Sequence, residues 1–293
     1  MQVILIHNTG AGDGHYDEDS LVSLIREHGH QVQSFAATDD WKRSVQSPVE
    51  LAVAAGGDGT VEDVARHLAF SGIPIAVLPL GTANNVASAL GIAATPIPEL
   101  VASWAHAERR PVDTGRATTH GHAFRFVESV GVGLLAESIA EITQGSAAYV
   151  DQLADAEERI DAAIDVLQRT LRRLQPTHTE LVIDGQHFSG DYVLVEVMNF
   201  GCAGPNLSLA PDAAHADGLF DIVLADAGHR RQLLEDLPLY QQGSRPSVPL
   251  PVYRGRHVIL SAIGHQLHLD DELRTYQGPV ELSVEPQALT FLV

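Results

Sequence analysis

Residues 51–60 read Leu51-Ala52-Val53-Ala54-Ala55-Gly56-Gly57-Asp58-Gly59-Thr60, and an amphipathic stretch begins at Val61. A buried strand that breaks into glycines and restarts as a helix brings bare backbone N–H groups up to a phosphate. Glycine permits close approach and left-handed angles, and the helix N-terminus adds partial positive charge. Thr60 and Asp63 are spaced as a capping box, which predicts a helix start at that point. The segment points to a phosphorylated nucleotide as ligand. Taken alone, Gly56 to Gly59 also fit an ordinary tight turn.

Two neighbouring segments repeat the pattern. Residues 2–7 form a short apolar run followed by Asn8-Thr9-Gly10-Ala11-Gly12-Asp13-Gly14 and a helical pattern over about 16–28. Residues 73–78 read as another buried strand, ending in Pro79-Leu80-Gly81-Thr82-Ala83-Asn84-Asn85. In an open parallel sheet such loops gather at the carboxyl edge, where ligands bind. The phosphate binder is not of the commonest kind. Lys42 is the sole lysine and follows Asp39-Asp40-Trp41, so Gly-x-x-x-x-Gly-Lys-Ser/Thr is absent. Protein-kinase signatures and a strand-linked Gly-x-Gly-x-x-Gly with its acidic partner are missing too. Phosphate charge must therefore be met by backbone amides, a helix terminus, threonine hydroxyls and a metal ion.

Composition bounds the function. A chain of 293 residues has room for one large domain or two ordinary ones. It is 45% apolar, and the nearest approach to a membrane span, residues 73–94, is interrupted by Thr82, Asn84 and Asn85. The opening residues do not read as a leader peptide, and the single Cys202 excludes an internal disulfide, which fits a reducing cytoplasm. A net charge of −20 argues against nucleic acid as a partner and would repel an anionic membrane overall. The arginines cluster at Arg109-Arg110, Arg169 with Arg172-Arg173, Arg230-Arg231, and Arg254 with Arg256. Most of these read as solvated faces and salt-bridge partners; a local basic face is the alternative.

The pattern divides near residue 112. Before it, strands near 2–7, 31–36, 50–55 and 73–78 alternate with helices, which predicts an α/β domain over 1–112 with a parallel sheet covered on both faces. After it, strands come in neighbouring pairs. Segments 112–119 and 122–130 flank His120-Gly121, and 179–184 and 187–198 flank an Asp-Gly turn. Later strands are expected near 219–225, 252–261, 265–269, 280–284 and 288–293. Residues 113–285 should thus form a mainly antiparallel β-sandwich domain. One long helix is expected within it over about 147–174, where apolar residues recur at spacings of three and four. It is read as lying across its own sheet, with a homodimer contact as the alternative. Residues 242–251, with three prolines, read as a loop.

The ordered motifs identify a resemblance. The chain resembles the diacylglycerol kinase catalytic-domain family of lipid kinases, which shares a nucleotide-binding core with sphingosine kinases and NAD kinases. Gly56 to Thr60 matches the family's Gly-Gly-Asp-Gly-Thr signature, and Pro79 to Asn84 looks like its Pro-Leu-Gly-Thr-x-Asn segment. Asn8 to Gly12 is similar to its Asn-Pro-x-Ser-Gly opening, with Thr9 and Ala11 as departures. Asp217-Gly218-Leu219-Phe220-Asp221 is similar to its Asp-Gly-x-x-Asp element. Leu269-Asp270-Asp271-Glu272 resembles its Asp-Gly-Glu element, with Asp271 in the glycine position. The similarity runs over nearly the whole chain. It implies an NAD kinase-like first domain to which a strand over 286–293 returns, and a second domain that takes the acceptor.

The resemblance also implies an activity, transfer of the γ-phosphoryl group of ATP, with Mg2+, to a lipid alcohol presented at a membrane surface. Location would be cytoplasmic or peripheral at the inner membrane surface. Asn8, Thr9, Gly10, Ala11, Gly12, Thr38, Gly56, Gly57, Asp58, Gly59, Thr60, Val61, Glu62 and Thr82 would line the nucleotide site. Asp58 would hold magnesium, or else fix its turn by side-chain hydrogen bonds. Thr38 and Thr82 are also expected as helix N-caps. Glu272 would be the general base, with Asp270 beside it organising magnesium and water. Carboxylates so crowded should leave one with a raised pKa. Strand alternation would send Asp270 and Glu272 to one side and Asp271 to the other, and an exposed acidic turn is the competing reading. Asp217, with carbonyls of Ala214 and Leu219, would hold a structural cation. Phosphorylation of NAD or a small soluble alcohol stays open, as does nucleotide binding without turnover, which is motivated by Thr9, Glu128 and Asp271.

Overall fold

The structure is a computed structural model describing residues 1–8, 10–11, 16–46, 48–153, 155–241, 249–262 and 266–293. The expectations at Thr9 and Gly12, in loop 242–248 and at the His265 strand start lie outside the described residues. The chain divides into two compact units, Met1–Val112 with Gln287–Val293, and Asp113–Pro286.

The first unit alternates strand and helix: β1 (Gln2–His7), α1 (Glu18–Glu27), β2 (Gln31–Ala36), β3 (Leu51–Gly56), α2 (Asp58–Leu68), β4 (Ile75–Pro79), α3 (Asn85–Ala89) and α4 (Ile97–Ser103). The strands pair in parallel in the order β4-β3-β1-β2. Every residue of β3 is buried, and only Gln2 of β1 is exposed, as expected of central strands covered on both faces. Burying the all-apolar β3 between helices dictates that its polar continuation, Gly57 onward, emerges at the sheet's carboxyl edge. The helix start differs from the capping-box expectation. α2 begins at Asp58, its N-cap is Gly57 without a side-chain bond, and Thr60 lies inside the first turn. Asp63 instead pairs with Lys42 at 2.7 Å.

The described strands of the second unit pair mainly antiparallel. Its strands are the later part of β5 (Arg109–Thr119), then β6 (His122–Phe126), β7 (Ser129–Gly133), β8 (Thr177–Ile183), β9 (Gln186–Met198), β10 (Cys202–Ala203), β11 (Leu207–Ser208), β12 (Phe220–Asp226), β13 (Val252–Gly255), β14 (His257–Ser261), β15 (Gln266–Leu269), β16 (Glu272–Thr275) and β17 (Val280–Leu292). Among the described residues three α-helices complete it: α5 (Leu134–Thr143), α6 (Ala156–Arg173) and α7 (Arg230–Gln241). One face of the strands encloses a core including Phe126, Val130, Val132, Val195, Val197, Phe220, Leu267 and Leu269. The opposite face is covered by the helices, with Leu134, Ile164, Leu167, Leu171, Leu194, Met198, Leu233 and Leu237 buried there. Positive φ at His120 and Gly121, and at Asp184 and Gly185, makes both two-residue hairpin turns.

Several expected boundaries move, each for a local reason. The long helix starts at Ala156 rather than near 147, because the Asp155 carboxylate caps the Glu158 amide at 2.9 Å. Val150 sits in a separate 3-10 turn, and α5 and α7 had no clear sequence signal. The expected strand 122–130 breaks at Val127-Glu128, whose amides bond the Asp270 carboxylate. The expected strand 252–261 breaks at Arg256. The two expected terminal strands are one, β17, which carries Gln287 at φ 48° where the chain passes from the second unit to the first. Its Phe291 pairs in parallel with Ile75.

Glu285 on β17 ties this antiparallel unit together. It accepts from Thr114 Oγ1 at 3.1 Å, Arg116 Nε at 2.8 Å, and Arg125 Nε and Nη2 at 2.5 and 3.2 Å. Burial alone would raise its pKa, but the two arginines outweigh burial and hold it below the ordinary 4.5. A lowered folded-state pKa contributes stability that is present above pH 4.5 and disappears as pH falls through the folded value. Glu285→Gln should therefore cost about 3 kcal/mol at pH 7 in urea melts, with the gap to wild type closing as the pH drops below about 4. A pH-independent gap would contradict this role.

Candidate active site

In the first unit, three strand ends carry loops that are bonded to one another. The Asn8 amide donates to the Ala55 carbonyl at 2.9 Å, and its Oδ1 accepts the Gly10 amide at 3.0 Å. Ala11 N bonds the Asn8 carbonyl at 3.0 Å, so Asn8, Gly10 and Ala11 form one tight turn after β1. Leu80 N donates to Gly56 O at 3.0 Å, which joins the loop after β4 to the end of β3. Gly57 and Gly81 then meet backbone to backbone. A Cβ on Gly81 would lie 2.2 Å from Gly57 Cα, and one on Gly56 would lie 2.4 Å from Thr60 Oγ1. None of Gly56, Gly57, Gly59 and Gly81 has a positive φ. Gly56, Gly57 and Gly81 therefore serve close approach and not left-handed turning, which corrects half of the sequence expectation.

Asp58 Oδ1 accepts from the Val86 amide at 3.1 Å, tying the start of α2 to the start of α3. Asn84, at φ 53°, closes its loop through Gly81 in both directions, at 3.0 and 2.8 Å. In the first α2 turn the Thr60 and Val61 amides bond the Gly57 carbonyl at 3.0 and 3.2 Å, and the N–H groups that precede them lie in this stitched edge. Val61 and Glu62 point inward, with Glu62 3.8 Å from Arg66. The expected N-caps do not form. Thr38 lies in the turn after β2 and starts no helix, and the N-cap position of α3 is Asn84, without a side-chain capping bond, not Thr82. The sole lysine is committed to Asp63 and packs 5.4 Å from the Trp41 ring. What the edge offers an anion is main-chain amides, a helix terminus and hydroxyls.

In the second unit, Asp270 and Asp271 are the two turn residues of the β15–β16 hairpin, and Leu269 pairs with Glu272. The left-handed residue is Asp270, at φ 52°, and not Asp271 in the glycine position. The alternation expected from an extended chain fails because these residues turn. Asp270 is buried, and its carboxylate accepts from the amides of Val127, Glu128 and Ser129 at 2.8–3.3 Å. Glu272 is exposed at the first position of β16 and pairs with Arg274. The two side chains expected on one side are thus turned apart, Asp270 inward and Glu272 outward.

Beneath Asp270 lies a pair that sequence reasoning missed. His268 Nε2 is 2.9 and 3.0 Å from the two Glu196 oxygens, and its Nδ1 is 2.8 Å from the Asp270 carbonyl. Burial opposes the imidazolium here, yet Glu196 and the Asp270 carbonyl together raise the His268 pKa above its ordinary value. The signal was a lone carboxylate in the otherwise apolar run Val193-Leu194-Val195-Glu196-Val197-Met198.

The expected cation set of Asp217, Ala214 and Leu219 does not fit a metal ion. Arg254 pairs with the Asp217 carboxylate, and its Nε is 3.4 Å from Asp221. Asp217 Oδ1 also accepts the Leu219 amide at 3.0 Å, and Asp113 accepts the Gly218 amide at 2.7 Å. Burial raises the Asp221 pKa against the pull of Arg254. A guanidinium thus stands where the cation would neutralise this loop. EDTA should leave the Tm unchanged within about 2 °C, whereas Arg254→Ala should lower it by about 4 °C. Stabilisation of wild type by added Mg2+ and loss of it with EDTA would contradict the assignment. The remaining arginines are largely engaged as well: Arg230 caps the Leu171 and Leu174 carbonyls, and Arg173 meets Glu141. Among the described residues, no helix is long and apolar enough to cross a membrane.

Comparison with known proteins bears on the family and the fold. Residues 2–117 match the diacylglycerol kinase catalytic domain, and residues 140–293 match the YegS C-terminal NAD kinase beta sandwich-like domain. A diacylglycerol kinase of Bacillus subtilis is 27% identical over 86% of this chain and 82% of its own. A YegS-like lipid kinase of Pseudomonas putida is 30% identical over 71% of this chain and 68% of its own. The crystal structure of a diacylglycerol kinase from Bacillus anthracis shares the fold with a TM-score of 0.71, at 19% identity over 99% of this chain and 96% of that one. The fold is an α/β domain followed by an NAD kinase-like β-sandwich. The chain belongs to the diacylglycerol kinase family of lipid kinases.

Proposed function

We propose that the protein transfers the γ-phosphoryl group of ATP to the hydroxyl of diacylglycerol or a similar long-chain alcohol. The observation that carries this reading is the stitched, lysine-free edge of the first unit. Its close-packed glycines Gly56, Gly57 and Gly81 leave backbone amides as the means of gripping a polyphosphate. Asn8, Thr9, Gly10, Ala11, Gly12, Thr38, Gly59, Thr60, Val61, Glu62 and Thr82 complete the assigned nucleotide contacts. Asp58, at the start of α2, would be the carboxylate ligand of a hard cation bound with the nucleotide, with the Thr60 and Thr82 hydroxyls as further oxygen donors. Magnesium held there would neutralise phosphate charge as the leaving group develops.

Glu272 takes the acceptor's hydroxyl proton. As the lipid oxygen forms its bond to the γ-phosphorus, the bond from that phosphorus to the β–γ bridging oxygen breaks, and ADP leaves. Asp270 fixes the turn on which Glu272 begins β16. A cavity of about 220 Å3 in the second unit supports an apolar acceptor; its lining includes Leu134, Leu135, Leu194, Leu233, Leu237 and Leu250. It is below the roughly 300–1,000 Å3 of pockets for drug-sized ligands and suits part of an alkyl chain.

The test is phosphorylation with labelled Mg-ATP of a panel of diacylglycerol, a sphingoid base, NAD and glycerol in detergent micelles. Label in a lipid product supports the proposal. Label in NAD or glycerol alone, or tight ATP binding with no labelled acceptor, would overturn it.

A further inference from the structure

Three strands of the second unit place His268, Gly131 and Glu196 in one cross-strand row: His268 pairs with Gly131 across β15 and β7, and Gly131 with Glu196 across β7 and β9. The row lies on the face away from the sandwich core. The flanking residues Leu267, Leu269, Val130, Val132, Val195 and Val197 all point into that core, and side chains alternate along a strand. α5 packs over β7, β9 and β15 on the row's side. Strands two apart in a sheet are about 9.5 Å apart, too far for most side chains to meet across the one between. His268 and Glu196 meet because Gly131 has no side chain. A Cβ there would lie 2.2 Å from Glu196 Oε1 and 2.3 Å from its Cδ.

The ring's two bonds fix its protons. The Asp270 carbonyl can only accept, so Nδ1 carries a hydrogen. Nε2 faces both carboxylate oxygens, so a second proton is shared between the ring and Glu196. The pair is neutral as a whole, which is how two ionisable groups with 3% and 0% side-chain exposure are tolerated in this layer. Its outward connection runs to the carbonyl of Asp270. That residue is left-handed, is held on its other side by three amides, and is followed two positions later by Glu272.

We propose that His268, held by Glu196 over Gly131, is a positioning residue that locks the Asp270–Asp271 turn and thereby the aim of Glu272. This inference rests on the reading of Glu272 as the base. The chemistry of the lock is a donor at Nδ1: the carbonyl of a left-handed residue is kept at one angle, so the hairpin cannot rock about its turn.

The test compares three variants of the full chain with lipid and Mg-ATP as substrates. His268→Gln keeps an amide donor for Glu196 but has no group at the Nδ1 position. It should lower kcat by tenfold or more, with the KM for Mg-ATP unchanged within about twofold. Glu196→Gln offers its amide N–H to Nε2 of the neutral ring and leaves Nδ1–H in place, so it should retain kcat within about threefold. Glu272→Gln is the control on which the inference depends. If it leaves kcat unchanged, the assignment of the base is wrong and not merely the lock. If it abolishes turnover while His268→Gln keeps a wild-type kcat, the lock is wrong. A His268→Gln protein that loses active molecules but shows normal kcat per active site would mark a purely structural role and also overturn the inference. Should His268→Gln not fold, nitrogen-15 NMR of the wild type decides. A slowly exchanging Nδ1–H resonance on His268 supports the lock, and a ring protonated only at Nε2 overturns it.

Discussion

Glu272→Gln should lower kcat for lipid phosphorylation by about 10³-fold while leaving the KM for Mg-ATP and the Tm unchanged. General-base assistance lies in the range of about 10²–10⁴, and the glutamine side chain would be isosteric but unable to take a proton. Glu272 is exposed and touches Arg274 at the surface, so its loss costs little stability. Asp270→Asn should behave differently. Its Oδ1 accepts three backbone amides in a buried setting, and its Oδ2 also faces the Val127 amide at 3.1 Å. An amide nitrogen at the Oδ2 position would set a donor against that N–H. That variant should lose about 3 kcal/mol of stability, and its activity should fall with its folded fraction. Two acidic residues two positions apart would thus separate cleanly, one in kcat and the other in the denaturation midpoint. Equal effects of both on the Tm would contradict the division of roles.

Gly81→Ala should weaken nucleotide affinity by about 10²-fold and cost about 2 kcal/mol of stability. The added methyl would fall 2.2 Å from Gly57 Cα, 2.9 Å from Asn84 Oδ1 and 3.1 Å from Gly57 N. Two of these three are backbone atoms of the facing loop, so no side-chain rotation can relieve the clash, and the loops after β3 and β4 must separate. An ångström of displacement in such a cradle is worth about 10²-fold in function. Gly10→Ala is the matched control. Its Cβ would lie 3.5 Å from Asn8 Oδ1, an ordinary contact, so the Tm should not change. Calorimetry with Mg-ADP and a thermal melt on each variant check both expectations. Wild-type affinity in Gly81→Ala would show that the contact between the loops is irrelevant to the ligand.

Much of this architecture is legible in the residues because the signals are local. The all-apolar run Leu51–Ala55 reads as a strand buried on both faces, and the glycines after it mark the point where that strand gives way to a helix. The Asp184-Gly185 turn is similarly direct, since few other residue pairs accept positive φ twice in succession. Less legible is anything fixed by long-range partners. The capping-box pattern at Thr60 and Asp63 yields to Gly57 because Lys42, 21 positions upstream, takes the Asp63 carboxylate. The strand through Val127 breaks because a carboxylate 143 positions later takes its amide. The same carboxylate sits in a turn and not in a strand, which is why alternation misassigned the faces of Asp270 and Glu272. His268, Gly131 and Glu196 carry no shared motif in the sequence, and only strand register brings them into a row. Arg254 likewise reaches Asp217 from β13, a strand whose pairing with β12 the sequence does not announce.

Beneath the proposed activity stands a grip on the triphosphate made by backbone amides, with no lysine. A crystal structure with Mg2+ and a non-hydrolysable ATP analogue tests it most directly. The expected result is phosphate oxygens about 3 Å from main-chain nitrogens of residues 57–59 and of Thr82, with Lys42 still paired to Asp63. Phosphates gripped by Lys42 or by an arginine cluster, with those amides bare, would contradict it.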